Sequence, residues 1–219
     1  MTLRLAIFDC DGTLIDSQHS IVAAMDAAFA AMSLGGPSRA DCLSVVGLSL
    51  PEAMARLLPE AEPAFHHEIS AHYKQAFHAL RAGGQLSEPL YDGIADLLDA
   101  LEADGWLLAV ATGKSDRGLR LALEHHGLFG RFVSLQTADR HPSKPHPSMI
   151  EAALAQAGVD RAQAVMIGDT SFDMAMAQAA GVRGLGVGWG YHQPDALIAA
   201  GAHSVAMDSG ELARHIGLR

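Results

Sequence analysis

The chain is poor in cysteine, in aromatic residues and in long apolar runs. Its 219 residues include two cysteines, Cys10 and Cys42, which are too few for a disulfide scaffold and fit a reducing compartment. No apolar run reaches the roughly 18 residues that a membrane-spanning helix needs. The amino terminus lacks a basic segment followed by an apolar signal core. We therefore expect a soluble cytoplasmic protein with no membrane partner.

Positive charge is also scarce. The chain has 15 Lys and Arg against 25 Asp and Glu, which gives a formal net charge of −10. This excess of acid disfavours nucleic acid as a partner, because the phosphate backbone would be repelled. Hydrophobic residues make up 49% and charged residues 18%, so a packed globule is expected. A phosphorylated ligand would have to be met by local positive charge or by a metal ion.

The chain contains one purely helical segment inside an alternation of strands and helices. Leu3 to Phe8 predicts a buried strand, and only helical patterns follow between Asp16 and Ser87. From Asp92 onward, helices alternate with apolar strands, which is typical of a parallel sheet covered on both faces. We predict an α/β core with a doubly wound parallel sheet, formed by residues 1–16 and 88–219, and a small inserted helical domain at 17–87. The later strands are predicted at 106–111, 132–136, 164–167, 182–187 and 204–207, and helix caps at Ser38, Ser49 and Asp92.

Asp9 and Asp11 follow the first predicted strand. If the backbone stays extended, both side chains emerge on the same side. Two acids this close repel each other unless a cation or a shared proton lies between them, which is typical of a Mg²⁺ site or an acid/base pair. The alternative is a pair of turn-forming aspartates at a strand end.

Three further polar groups follow later strands. Ligands of open parallel sheets bind beyond the carboxyl ends of the strands, so these groups are candidates for one site. Thr112 and Gly113 offer a hydroxyl and backbone amides for phosphate oxygens, although this group taken alone favours an ordinary strand-to-helix turn. Lys144 lies in a proline-stiffened loop, where a solvated lysine is the alternative. Asp169 and Asp173 stand at the start of a helix, where Asp169 alone could be a helix cap.

Together, and in this order, the four groups resemble the motifs of the haloacid dehalogenase superfamily of phosphohydrolases. The similarity covers nearly the whole chain, and the segment after Asp16 resembles the helical cap of that family. The stretches 46–49 and 189–191 look most like the phosphoglycolate phosphatase branch. Asp9 and Asp11 occupy the DxDGT motif, Thr112 the second motif, Lys144 the third, and Asp169 and Asp173 the fourth, GDxxxD.

This resemblance implies roles for the motif residues. Asp9 would attack phosphorus to form an aspartyl phosphate, and Asp11 would protonate the leaving alcohol and then serve as base for the hydrolytic water. Mg²⁺ would be held by the Asp9 carboxylate, the Asp11 carbonyl and Asp169, with Asp173 contacting it through water or positioning that shell. The transferring phosphoryl group would be bound by Thr112, Gly113 and Lys144.

The function expected from these roles is a Mg²⁺-dependent phosphatase for a small phosphorylated metabolite resembling phosphoglycolate. A β-phosphoglucomutase-like sugar phosphomutase and a pyrophosphatase are the alternatives. The sequence between Ser17 and Ser87 does not reveal the His/Lys/Arg set that such mutases carry in the cap. The only lysine of this segment is Lys74, and its helical context gives no reason to expect it in the site. Arg39 and Arg56 are candidates for binding a substrate carboxylate, with solvated surface as the alternative. The oligomeric state is left open.

Overall fold

A parallel β-sheet of six strands forms the centre of the computed structural model, which describes residues 3–218. The strand order is β3-β2-β1-β4-β5-β6, and the pairing is parallel throughout. The predicted doubly wound parallel sheet is therefore confirmed. The strands are β1 Arg4–Phe8, β2 Trp106–Thr112, β3 Phe132–Thr137, β4 Ala164–Gly168, β5 Arg183–Val187 and β6 Ser204–Ala206.

Helices cover both faces of this sheet, because successive side chains of each strand point to opposite faces. In β1, Ala6 and Phe8 pack on one face beneath α5, α6 and α10, whereas Leu5 and Ile7 pack on the other beneath α7 and α8. None of the helices in residues 3–218 is both long and apolar enough to cross a membrane. The helices of this part are α5 Ile94–Ala103, α6 Asp116–His125, α7 Ser148–Ala157, α8 Ser171–Ala180, α9 Pro194–Ala199 and α10 Ser209–Ile216.

Four helices between β1 and α5 form the cap. They share a small hydrophobic core of their own, to which Met25, Phe29, Met54 and Ile69 contribute. The chain enters and leaves the cap at one place, because the Asp16 amide donates a 2.8 Å hydrogen bond to the Pro89 carbonyl. The inserted helical domain is thus confirmed, while its boundaries at 17–87 stay a prediction. The cap helices are α1 Gln18–Ala31, α2 Arg39–Ser44, α3 Leu50–Leu57 and α4 Pro63–Ala82.

One of the three predicted helix caps is present. The Ser38 side chain accepts a 3.1 Å hydrogen bond from the Asp41 amide. Ser49 makes no side-chain cap. The prediction for Asp92 is wrong, because Gly93 takes the N-cap position with a φ of 73°, and a Cβ there would lie 2.2 Å from Ser209 Oγ. Helices α9 and α10 were not predicted.

The sheet has its topological switch point between β1 and β4. From β1 the chain continues to β2 and β3 on one side, and it then returns to β4, β5 and β6 on the other. Crossovers leaving in opposite directions open a crevice at the carboxyl ends of the two central strands. Phe8 of β1 pairs with Ile167 of β4. The residues that follow these two in the sequence therefore lie at the crevice.

Candidate active site

Three buried carboxylates meet at this crevice. Asp9 follows β1, whereas Asp169 and Asp173 follow β4, and one carboxylate oxygen of each lies within 4.8 Å of the others. The Asp9 amide donates a 2.9 Å hydrogen bond to the Ile167 carbonyl, which continues the β1–β4 pairing into the site. The structure thus brings Asp9 together with acids that lie 160 and 164 positions later in the sequence.

Lys144 is the buried cation of this cluster. Its Nζ lies 2.6 Å from Asp173 Oδ1 and 3.0 Å from Asp9 Oδ2. Burial alone would lower the pKa of Lys144, but Asp173 and Asp9 outweigh it and hold that pKa above its ordinary value. The lysine is therefore charged and is not the solvated surface residue that the sequence also allowed.

Asp9 has one oxygen held and one left without a hydrogen bond. Oδ1 accepts a 2.6 Å hydrogen bond from the Cys10 amide. Oδ2 is buried and accepts no hydrogen bond within residues 3–218, although it forms an ion pair with Lys144 Nζ at 3.0 Å. Burial raises the pKa of Asp9 to about 7, with Asp173 adding to this effect and Lys144 opposing it.

Asp169 is held by two donors. Thr13 Oγ1 lies 2.8 Å from Oδ1, and the Tyr191 amide lies 2.9 Å from Oδ2. Burial raises the pKa of Asp169 well above its ordinary range, and neighbouring Asp173 and Asp9 raise it further. Gly12 has a φ of +85°, and a Cβ there would lie 2.2 Å from Asp169 Oδ2, so only glycine fits beside this carboxylate.

Asp173 is fixed by the start of α8. Thr170 is the N-cap residue, and its Oγ1 accepts from the Asp173 amide while Asp173 Oδ2 accepts from the Thr170 amide at 3.0 Å. This capping box removes the alternative that Asp169 caps the helix. The raised pKa values of Asp9 and Asp169 indicate that one lysine does not provide enough positive charge to keep all three carboxyl groups ionised. Hard oxygen donors of this kind suit a divalent cation such as Mg²⁺, which would supply that charge. Asp9, Asp169 and Asp173 each offer one carboxylate oxygen to such an ion, and these oxygens lie within 4.8 Å of one another.

Asp11 lies beside the cluster rather than in it. Its Oδ1 is 2.6 Å from Lys114 Nζ and also accepts a hydrogen bond from Ser17 Oγ. Its predicted role as a metal ligand through the backbone carbonyl stays a prediction. The side chain lines the cavity between core and cap, as the side chain of Asp9 does.

Thr112 and Gly113 lie at the end of β2, and both line the same cavity. Gly113 touches the cap so closely that a Cβ would lie 2.4 Å from the Leu48 carbonyl oxygen and 2.6 Å from that of Gly47. Core and cap therefore meet above the strand ends. Phosphate binding by Thr112, Gly113 and Lys144 remains a prediction that this placement permits.

The cavity has a volume of about 610 Å³, and α4 forms one wall. Lys74 lies on this wall, which corrects the expectation that nothing places it in the site. Neither Arg39 nor Arg56 lines the cavity, since Arg39 bonds to Gln18 and Arg56 lies 4.8 Å from the centre of the Phe172 ring. The His, Lys and Arg side chains of the α4 wall are His67, Lys74, His78 and Arg81.

Sequence reasoning missed Lys114 as a site residue. Its Nζ contacts Asp11, and its side chain is largely buried. The available signal was its position directly after Thr112 and Gly113 at a strand end. A lysine that follows a strand usually extends into water, and the buried partners of Lys114 come from distant parts of the chain.

The family of the chain is shown by a comparison of its sequence with protein-family models. The sequence model of the haloacid dehalogenase-like hydrolase family matches residues 6–187. The chain belongs to this family. A probable phosphatase IndB of Dickeya dadantii is 36% identical over 200 residues, covering 90% of this chain and 86% of the relative. A phosphoglycolate phosphatase of Xylella fastidiosa is 32% identical and covers 86% of this chain and 81% of the relative.

Solved structures agree with the fold of this haloacid dehalogenase-like hydrolase. The crystal structure of a predicted phosphatase from Clostridium acetobutylicum superimposes with a TM-score of 0.89 at 25% identity, covering 99% of both chains. The family match and the phosphatase relatives together confirm the prediction of a phosphatase-type hydrolase.

Proposed function

We propose that this hydrolase is a Mg²⁺-dependent phosphatase that cleaves a small phosphomonoester through an aspartyl phosphate on Asp9. The observation that carries the proposal is Oδ2 of Asp9, which is buried, accepts no hydrogen bond within residues 3–218, lies 3.0 Å from Lys144 Nζ and belongs to a residue that lines the cavity. A carboxylate oxygen that accepts no hydrogen bond is available to attack phosphorus.

Asp9 and Asp11 divide the chemistry between them. The Cys10 amide fixes Asp9 Oδ1, so Oδ2 is the oxygen that would form the bond to phosphorus. Asp11 would pass a proton to the leaving oxygen as its bond to phosphorus breaks, and the resulting carboxylate would take a proton from the water that hydrolyses the aspartyl phosphate. Lys144 and the motif residues Thr112 and Gly113 would bind the phosphoryl oxygens.

The metal ion would be held by Asp9, Asp169 and Asp173, together with the Asp11 carbonyl. When bound, Mg²⁺ supplies charge neutralisation for the phosphoryl group. The chain itself orients two of these ligands, since Thr13 and Tyr191 hold Asp169 and Thr170 holds Asp173. Proton transfers are left to Asp11.

The substrate would be a small phosphorylated metabolite, with phosphoglycolate as the first candidate. The phosphoglycolate phosphatase of Xylella fastidiosa supports this choice. The α4 wall, with Lys74 among its residues, also favours a leaving group that carries a carboxylate. The same wall keeps the sugar phosphomutase alternative open, because a sugar phosphate would also be attracted to it, and pyrophosphatase remains the second alternative. A cytoplasmic location is proposed as well, since Cys10 and Cys42 are both free thiols.

The test is phosphate release from a panel containing phosphoglycolate, sugar phosphates, nucleoside monophosphates and pyrophosphate, with Mg²⁺ or with chelator. We expect turnover only with Mg²⁺ and a loss of about 10⁴-fold or more in Asp9→Asn. Asp195→Asn on exposed α9 is the matched control. Isomerisation of a sugar 1-phosphate without phosphate release would replace the phosphatase with the mutase, and full activity in chelator would contradict the metal.

A further inference from the structure

Four buried or half-buried charged residues form a row of ion pairs from the active site to the cap. Lys114 Nζ lies 2.6 Å from Asp11 Oδ1 and 3.5 Å from Glu88 Oε1, and Glu88 Oε2 lies 2.7 Å from an Arg81 guanidinium nitrogen. The four residues come from different parts of the fold. Asp11 follows β1, Lys114 follows β2, Glu88 lies in the segment that returns from the cap, and Arg81 is in the last turn of α4.

The charges of these four residues alternate in sign along the row and are shielded from water. The exposed fractions of the side chains are 12% for Asp11, 10% for Lys114, 5% for Glu88 and 24% for Arg81. The Phe77 ring of α4 also covers Lys114, with Nζ 5.4 Å from the ring centre. Because water screens such buried charges weakly, each residue responds to the loss of its neighbour.

Lys114 lies between two carboxylates that compete for it. Glu88 Oε1 is buried and has no hydrogen-bond partner among residues 3–218, so Lys114 is the cation closest to it in the ion-pair network. Arg81 neutralises the other oxygen of Glu88 and thereby leaves Lys114 to Asp11. If the cap helix withdrew Arg81, Glu88 would attract Lys114 away from Asp11.

The contacts of Asp11 also select one of its oxygens. Lys114 and Ser17 both bind Oδ1. In the proposed function, Oδ2 is therefore the oxygen that would pass the proton to the leaving oxygen. A carboxyl group anchored in this way has a fixed direction for proton transfer.

We infer that Lys114 is a positioning residue for Asp11, and that Arg81, acting through Glu88, couples this positioning to the cap. The inference rests on the proposed function, in which Asp11 is the general acid. It predicts that proton donation is efficient only while α4 lies in place over Glu88.

The first experiment compares two substrates with the Lys114→Met variant. An alkyl phosphate needs a proton on its leaving oxygen, whereas p-nitrophenyl phosphate releases an anion that is already stable. The value of kcat/KM reports the phosphorylation step, so it is measured for both substrates. We expect kcat/KM for the alkyl phosphate to fall about 100-fold, the cost of a misplaced catalytic group, and kcat/KM for p-nitrophenyl phosphate to fall far less.

The second experiment uses Arg81→Met alone and together with Glu88→Gln. The single variant is expected to lose about tenfold in kcat/KM for the alkyl phosphate, since Glu88 then competes for Lys114. The double variant removes the competing charge and is expected to recover most of that loss. Arg120→Met, which breaks the exposed Arg120–Glu124 pair on α6, is the matched control, and thermal unfolding checks that each variant is folded.

The outcomes separate this inference from the proposed function. If the wild-type protein released no phosphate from any substrate, the proposed function would fall and the inference with it. If the wild type were active but Lys114→Met reduced kcat/KM equally for both substrates, Lys114 would act on the phosphoryl group, and the inference would be wrong. If the double variant were as impaired as Arg81→Met, the inferred coupling through Glu88 would be wrong.

Discussion

Thr13 Oγ1 donates a 2.8 Å hydrogen bond to Asp169 Oδ1, although 156 positions separate the two residues in the sequence. The bond joins the loop after β1 to the end of β4 across the topological switch point. It fixes the direction of a carboxylate proposed to bind metal. The third residue of the DGT sequence thus orients an acid of the fourth motif.

Replacing Thr13 with valine should weaken metal binding without unfolding the protein. Valine keeps the shape but loses the donor, so Asp169 is held by the Tyr191 amide alone. We expect the Mg²⁺ concentration for half-maximal activity to rise about tenfold, with kcat recovering at high Mg²⁺. Ser70→Ala, which removes a buried hydroxyl on α4, is the control. An unchanged Mg²⁺ dependence would show that this bond does not orient the ligand.

Replacing Lys144 with methionine should destabilise the metal-free protein. The substitution leaves Asp9, Asp169 and Asp173 buried without their cation, and breaking a buried pair in this way costs about 3–5 kcal/mol. Urea unfolding in chelator measures the loss. Added Mg²⁺ should restore part of it, because a divalent cation supplies positive charge at the same place. Equal stability of variant and wild type in chelator would contradict this account.

Replacing Gly113 with alanine should impair catalysis by pushing the cap away. The added Cβ would lie 2.4 Å from the Leu48 carbonyl oxygen, so the cap loop has to shift, at a cost of about 1–3 kcal/mol. We expect a lower kcat/KM for every substrate and a modest fall in the melting temperature. Gly130→Ala, where a Cβ meets nothing within 4 Å, is the matched control. Wild-type kinetics in Gly113→Ala would mean that the cap does not need this contact.

The two thiols should be unreactive in the folded protein. Burial raises the pKa of Cys42 to about 11, and burial together with Asp11 raises the pKa of Cys10 well above its ordinary value. Since the thiolate is the reactive form, iodoacetamide at mildly alkaline pH should label neither thiol until urea unfolds the chain. Mass spectrometry of the labelled peptides measures this, and labelling of Cys10 in the native state would contradict its burial.

Strands and motif residues could be predicted from the sequence because both have local signals. The apolar run predicted at 106–111 is observed as Trp106–Thr112, and the acids that follow the strands meet where parallel strand ends must meet. Lys114 and Glu88 could not be predicted in this way, since their roles depend on which distant charges the folded chain places beside them. The Asp92 cap failed for a related reason, because the left-handed backbone at Gly93 has no signal that distinguishes it from an ordinary turn.

The hydrogen bond between the Asp16 amide and the Pro89 carbonyl closes the base of the cap. Both ends of the cap segment therefore meet the core at a single point. The pairing of β1 with β2 and β4 does not depend on what lies between Asp16 and Pro89. Such a junction can accept segments of very different length without a change of register in the sheet. During evolution the substrate-facing part of the enzyme could thus be exchanged as a unit, while the phosphoryl-handling part kept its geometry.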